Sequence, residues 1–218
     1  MTVEKKTTYT LSTGEKIMKV GIIGAGFVGE SLGKALLKAG HEIMFSSRDP
    51  HSEHAQKVHT ETGAPVGTIS EVLAYSTITA ISIPANAIEA MIHENPDHWQ
   101  NRVILDMNNG FTMAGNSLAE AIAMWTGGRV VKVFNTIGAE HYQNPLFEGQ
   151  KATMFIAGND AEAKQIATQL ADSIGFNVID AGGIEIAGLL EKVAQLWVHL
   201  AMRRGLGREI AFKLLKRE

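Results

Sequence analysis

The chain contains no cysteine. Disulfides, thiolate nucleophiles, iron–sulfur clusters and cysteine-built zinc sites are excluded together. No apolar run approaches the roughly 18 residues of a membrane-spanning helix. The leader MTVEKKTTYTLSTGEKI lacks the hydrophobic segment of a secretory signal. A net charge of −3 gives no electrostatic reason for nucleic acid or an acidic membrane surface as partner. Missing too are a Ser-His-Asp spacing, an HExxH motif, an obvious carboxylate pair, an internal repeat and a convincing linker. Residues 1–17 read as a flexible extension or an edge strand, and a cytoplasmic location follows by default. The remaining residues, 18–218, drawn from a chain that is 45% hydrophobic and 20% charged, suffice for one core and read as one domain.

What is present begins at Met18. An apolar strand containing Val20, Ile22 and Ile23 runs into Gly24-Ala25-Gly26-Phe27-Val28-Gly29, and a helical pattern follows to Gly40. In this strand–turn–helix context each glycine has a purpose. Gly24 lets the backbone turn sharply, Gly26 leaves room for a diphosphate against the main chain, and Gly29 lets the helix lie close on the sheet. The free N–H groups and positive dipole end of that helix complete an anion site around Ala25, Phe27 and Val28. A dinucleotide is the expected ligand.

The second strand, 41–46, ends in Ser46-Ser47-Arg48. A carboxylate at this point would select NAD through the ribose hydroxyls. Two hydroxyls and a guanidinium suit a 2′-phosphate, so NADP is favoured. Asp49 either pairs with Arg48 or reaches a ribose. Residues 50–62 read as a solvated polar helix near the adenine; His51, His54 and His59 lack the carboxylate or cysteine cluster that would complete a metal site. After a third strand within 63–67 comes a short helix capped by Thr68 or Ser70.

The fourth strand, 78–83, stops at Pro84 and places Ile83 and Pro84 beside the nicotinamide ribose. The helix 85–93 and a fifth strand, 103–106, follow. Asn108, Asn109 and Gly110 then either hold ribose or phosphate or form a turn. A sixth strand, 130–134, delivers Asn135, Thr136 and Ile137 to the same crevice. Strands at 152–157 and 176–179 flank a helix at 160–174. A long apolar helix, 184–202, precedes 205–215, and the basic tail 213–217 reads as a solvated helix end. The alternation predicts a Rossmann-type doubly wound parallel sheet with helices on both faces and a short C-terminal helical elaboration.

Taken together, GAGFVG at 24–29, SSRD at 46–49, FNTIGAE at 134–140 and the segment 189–215 resemble the deazaflavin-dependent NADP reductases. That family passes hydride between NADP and the deazaflavin coenzyme F(420). The chain is also similar to the cytosolic oxidoreductase domain of six-helix membrane ferric reductases. The resemblance spans residues 18–215. It implies that Ser47 and Arg48 clamp the 2′-phosphate and that Ile83 and Pro84 lie by the nicotinamide. It further implies that Asn135, Thr136 and Ile137 sit where the nicotinamide and deazaflavin rings meet. Ala25, Ser52 and Asn135 stand where the archaeal-type enzymes carry a threonine, a basic residue and a histidine, so a flavin or another acceptor is an alternative second ligand.

Hydride transfer between two rings needs no protein nucleophile, so Asn135 and Thr136 are expected to orient rings rather than react. Two alternatives stand beside this reading. In the first, Lys192 acts as the general acid–base of a β-hydroxyacid-dehydrogenase-like enzyme, with Gln195 beside it. In the second, the chain is a non-catalytic NADPH-sensing module. The stripe Leu189, Leu190, Val193, Leu196, Trp197 and Leu200 is either intramolecular core or a homodimer interface.

Overall fold

Strand β1 (Lys19–Ile23) forms because its apolar residues serve two cores at once. Val20 and Ile22 enter the core on one face of a sheet, and Ile23 enters the core on the other. The computed structural model describes residues 17–110 and 117–217. The extension expected at 1–17 lies outside them but for Ile17. The chain continues through α1 (Phe27–Lys38), β2 (Glu42–Ser46), α2 (Glu53–Thr62), β3 (Val66–Gly67) and α3 (Ile69–Tyr75). Next come β4 (Ile78–Ile81), α4 (Ala85–His93), β5 (Val103–Asp106), α5 (Leu118–Thr126) and β6 (Arg129–Lys132). A hairpin of β7 (Leu146–Phe147) and β8 (Gln150–Lys151) precedes β9 (Thr153–Gly158), α6 (Ala161–Ser173), β10 (Asn177–Asp180) and α7 (Ala187–Val198).

Eight strands make one sheet in the order β10-β9-β6-β5-β4-β1-β2-β3. One core gathers residues of α1, α2 and α6; the other gathers residues of α3, α4, α5 and α7. Strand residues alternate between the two: Val103 and Leu105 face the first, Ile104 the second. That double burial is why the strands read as unbroken apolar runs. Strand order reverses between β1 and β4, which opens a crevice at their carboxyl ends.

Three expectations are corrected here. The sheet is only mostly parallel, because β9 runs antiparallel to β6 and carries β10 with it. The stretch from β6 to β9 holds a 3-10 turn and the small hairpin but no crossover helix, so the chain returns in the opposite sense. Strand β4 ends at Ile81 and β6 at Lys132, each two residues short of the expected end. The apolar helix is α7 preceded by a 3-10 turn and closed by a π-helical turn at His199–Arg203, and 205–217 is not helical. Gly205 and Gly207 adopt positive φ and end the helix. The tail then spends its backbone on the body of the protein. Trp197 Nε1 donates to the carbonyl of Ile210 at 2.8 Å, and Thr153 N to that of Phe212 at 2.9 Å.

Candidate functional site

At the end of β1 the backbone turns with Gly24 at φ +106, where a Cβ would stand 2.3 Å from the carbonyl oxygen of Ser82. A Cβ on Gly29 would meet the carbonyl oxygen of Gly24 at 2.1 Å, so α1 packs directly on the turn. Gly26 differs: a Cβ there would meet nothing within 4 Å, because the residue faces open cleft. Gly26 is also the N-cap of α1 and offers no side-chain cap. By contrast α3 and α5 close their first turns with the capping boxes Thr68–Glu71 and Ser117–Glu120. The N–H groups of α1 are thus left for an anion.

A cavity of about 720 Å³ extends from this turn, past Ser46, Ser47 and Arg48 on one side and Ile83 and Pro84 on the other. Ser46 is buried and accepts from Gly24 N at 3.1 Å, so it locks the glycine turn. Arg48 is exposed and makes no ion pair among the described residues. The Asp49 carboxylate accepts from His51 N at 2.9 Å, and its carbonyl accepts from the hydroxyls of Ser47 and Ser52. The guanidinium of Arg48 is therefore not engaged by its neighbour. His54 lines the cleft as well; its Nε2 lies 2.7 Å from the Ala25 carbonyl and must carry the hydrogen. Nothing in its local sequence separates it from His51 or His59, and only the packing of α2 on the glycine turn selects it.

A second cavity, about 230 Å³, lies on the other side of the α1 N-terminus. Phe27 and Val28 form its wall toward the first, and Ile137, Tyr142, Trp197 and Arg208 line the remainder. Arg208 reaches it from the tail, held over the Trp197 ring at 5.2 Å and paired through Nη2 with Glu140 at 2.8 Å. Asn135 lines the cavity; Thr136, its neighbour, is fully buried. Asn135 Nδ2 donates to Asn109 Oδ1 at 3.0 Å and to the Leu190 carbonyl at 3.2 Å. Asn135 Oδ1 and Thr136 Oγ1 are buried without a partner among the described residues. Buried polar atoms of this kind are uncommon in folded proteins.

Two expected residues fall elsewhere. Asn108 is consumed internally: Nδ2 donates to the Ile81 carbonyl and to Asp106 Oδ1, both at 3.0 Å, and its carbonyl accepts from Lys132. Lys192 is exposed and lines neither cavity, whereas Glu191 beside it is fully buried. Glu191 joins a cluster missed in the sequence, in which Lys132 Nζ lies 2.9 Å from Asp106 Oδ2 and 2.9 Å from Glu191 Oε1. The signal was there: a lysine and an aspartate interrupt otherwise apolar strands. Burial pushes the Glu191 carboxyl up from the usual carboxylate range; Lys132 pulls the other way and Asp106 adds to the rise. Groups of three or more potential metal ligands are absent among the described residues.

Residues 19–110 match the family described as NADP oxidoreductase, coenzyme F(420)-dependent. The chain is 26% identical over 212 residues to the F(420)-dependent NADP reductase of Methanothermobacter thermautotrophicus, covering 86% of this chain and 90% of that one. It is 26% identical over 187 residues to the rat metalloreductase STEAP3, of which it spans only 36%. The solved structure of a putative F(420)-dependent NADP reductase from Arthrobacter sp. FB24 superposes with a TM-score of 0.81 at 25% identity, over 91% of this chain and all of the other.

Proposed function

We propose that this chain, an NADP-dependent oxidoreductase related to the coenzyme F(420)-dependent NADP reductases, moves hydride between NADP(H) and a second flat ring of deazaflavin or flavin type. One observation carries the reading: each of two cavities reaches the uncapped N-terminus of α1. The first has the chemistry of a phosphorylated dinucleotide. The second is aromatic-walled and adjoins two partnerless acceptor groups.

The residues present fit NADP. The open face of Gly26 and the free N–H groups of α1 would hold the diphosphate. Arg48 and Ser47 would hold the 2′-phosphate through charge-assisted hydrogen bonds. Ile83 and Pro84 would border the nicotinamide ribose. When bound, the dinucleotide supplies or takes up the hydride. The protein's contribution is placement. Phe27, Val28 and Trp197 give the second cavity apolar walls, and the Asn135 carboxamide, held through Nδ2, forms part of its lining.

Stopped-flow measurement of the NADPH absorbance band tests the reading against a panel of F(420), riboflavin 5′-phosphate and ferric chelates. Rapid bleaching with a ring acceptor supports it. Tight NADPH binding with no acceptor consumed favours a sensor and overturns it. The exposed position of Lys192 supplies no support for the hydroxyacid-dehydrogenase alternative.

A homodimer and a cytoplasmic place of action belong to the same proposal. The dimer is supported by Leu189, 55% exposed in the first turn of α7, and Met202, 60% exposed in the π-helical turn that closes it, and light scattering tests it. For location, no helix among the described residues is long and apolar enough to cross a membrane; cell fractionation is the test.

A further inference from the structure

Titratable side chains are costly to bury, yet three meet between β5, β6 and α7 without solvent contact. Lys132 Nζ is saturated, since it donates to Asp106 Oδ2, to Glu191 Oε1 and to the carbonyl of Asn108. An ammonium with every donor engaged holds other groups in place.

Two arms lead from this cluster to the second cavity. Through the first, Asp106 Oδ1 accepts from both nitrogens of Asn108 and shapes the turn that carries Asn109. Through the second, Glu191 fixes the first turns of α7, where the carbonyl of its neighbour Leu190 accepts from Asn135 Nδ2. A carbonyl can only accept, so this bond decides which way the Asn135 amide points. The Asn109–Asn135 hydrogen bond closes the loop between the two arms. Asn135 Oδ1 and Glu191 Oε2 are buried without a partner among the described residues.

We propose that Glu191 is a positioning residue for the hydride acceptor: by engaging Lys132 it seats α7 so that Leu190 orients the Asn135 carboxamide at the wall of the second cavity. The inference rests on the reading of the second cavity given above. It assigns Glu191 no contact with either ring. No residue that lines the dinucleotide cleft belongs to the cluster, so acceptor handling and NADPH binding are expected to separate.

The test uses two substitutions in the full chain. Glu191→Gln keeps the shape and the acceptor oxygen for Lys132; Glu191→Leu keeps the bulk and removes it. Expected for Glu191→Leu is a loss of roughly 10- to 100-fold in single-turnover transfer to F(420), the scale of a misplaced reacting group, and a raised KM for F(420). The dissociation constant for NADPH stays within about twofold, which is about 0.4 kcal/mol at 1.4 kcal/mol per decade. Glu191→Gln recovers most of the loss. Transfer unchanged in Glu191→Leu, absent rescue by Glu191→Gln, or NADPH affinity falling in step with transfer overturns the inference. A readout free of substrate keeps it separate from the functional reading. The Asn135 side-chain amide signals in heteronuclear NMR stay fixed and dispersed in wild type and Glu191→Gln, and collapse toward the solvent-exposed positions in Glu191→Leu. Signals unmoved in Glu191→Leu refute the positioning role. A wild type that binds NADPH but passes hydride to none of the acceptors tested refutes the functional reading alone.

Discussion

Single residues divide into those that hold a ligand and those that hold the protein. Arg48 is exposed and unengaged by any acid among the described residues, so its removal costs the fold little. Arg48→Ala is expected to weaken NADPH by roughly 10- to 100-fold, the worth of hydrogen bonds to a charged group. Affinity for NADH stays unchanged, and calorimetry with both dinucleotides checks the difference. Asn135→Ala is expected to slow transfer at saturating NADPH, with the dinucleotide affinity kept; unchanged single-turnover rates would remove it from the site. Arg102 is the opposite kind. Its buried guanidinium donates to the carbonyls of Leu73, Ser76 and His98 and to Thr79 Oγ1, tying the end of α3 and the 3-10 turn at Pro96–His98 to the start of β4. Arg102→Met leaves those carbonyls unpaired, for an expected loss of about 2–4 kcal/mol in denaturant unfolding. NADPH affinity in the folded fraction is expected to persist.

At the scale of one element, the turn into α1 has separable duties. Gly26 sits at φ −76 with open space where a Cβ would go. Gly26→Ala is expected to fold with a loss of no more than about 1 kcal/mol at an N-cap, while its methyl occupies the diphosphate's place and dinucleotide binding falls steeply. Gly29→Ala forces a methyl against the carbonyl of Gly24, only 2.1 Å away, so α1 must lift from the sheet. Its stability is expected to fall by about 1–3 kcal/mol, the usual cost of overpacking. Thermal unfolding and NADPH titration of the two variants distinguish binding space from packing space.

Across the whole molecule, two carboxyls titrate in opposed senses. The hydrogen-bonded Arg208 guanidinium holds the Glu140 carboxyl below the usual carboxylate range. Its contribution is complete above its unfolded value and lost as pH falls through the depressed one. Glu191, pushed up by burial, contributes fully below its unfolded value and loses that contribution as pH rises through the raised one. Thermal midpoints followed against pH should therefore fall on both sides. Glu140→Gln is expected to flatten part of the acid limb, and Glu191→Gln part of the fall as pH rises. Trp197, under Arg208 and bonded to the tail at Ile210, should report release of the tail on the acid side by its fluorescence.

The sequence by itself determined what depends on neighbours along the chain. The glycine turn between β1 and α1, the capping of α3 by Thr68 and the placing of Arg48 at the tip of β2 follow from local geometry and spacing. Alternating apolar strands and helices likewise imply a sheet covered on both faces. Tertiary structure alone decided whatever joins residues far apart in the chain. Lys132 finds Glu191 across 59 positions and Asp106 across 26, and the same packing turns Asn108 inward although its sequence suits a ribose equally well. It also reverses β9, because direction is set by whether a helix crosses the sheet, and it lays the tail out extended, because Thr153 and Trp197 meet its carbonyls. A side chain's partners within one turn or hairpin are written in its spacing; partners brought together by folding depend on every intervening element.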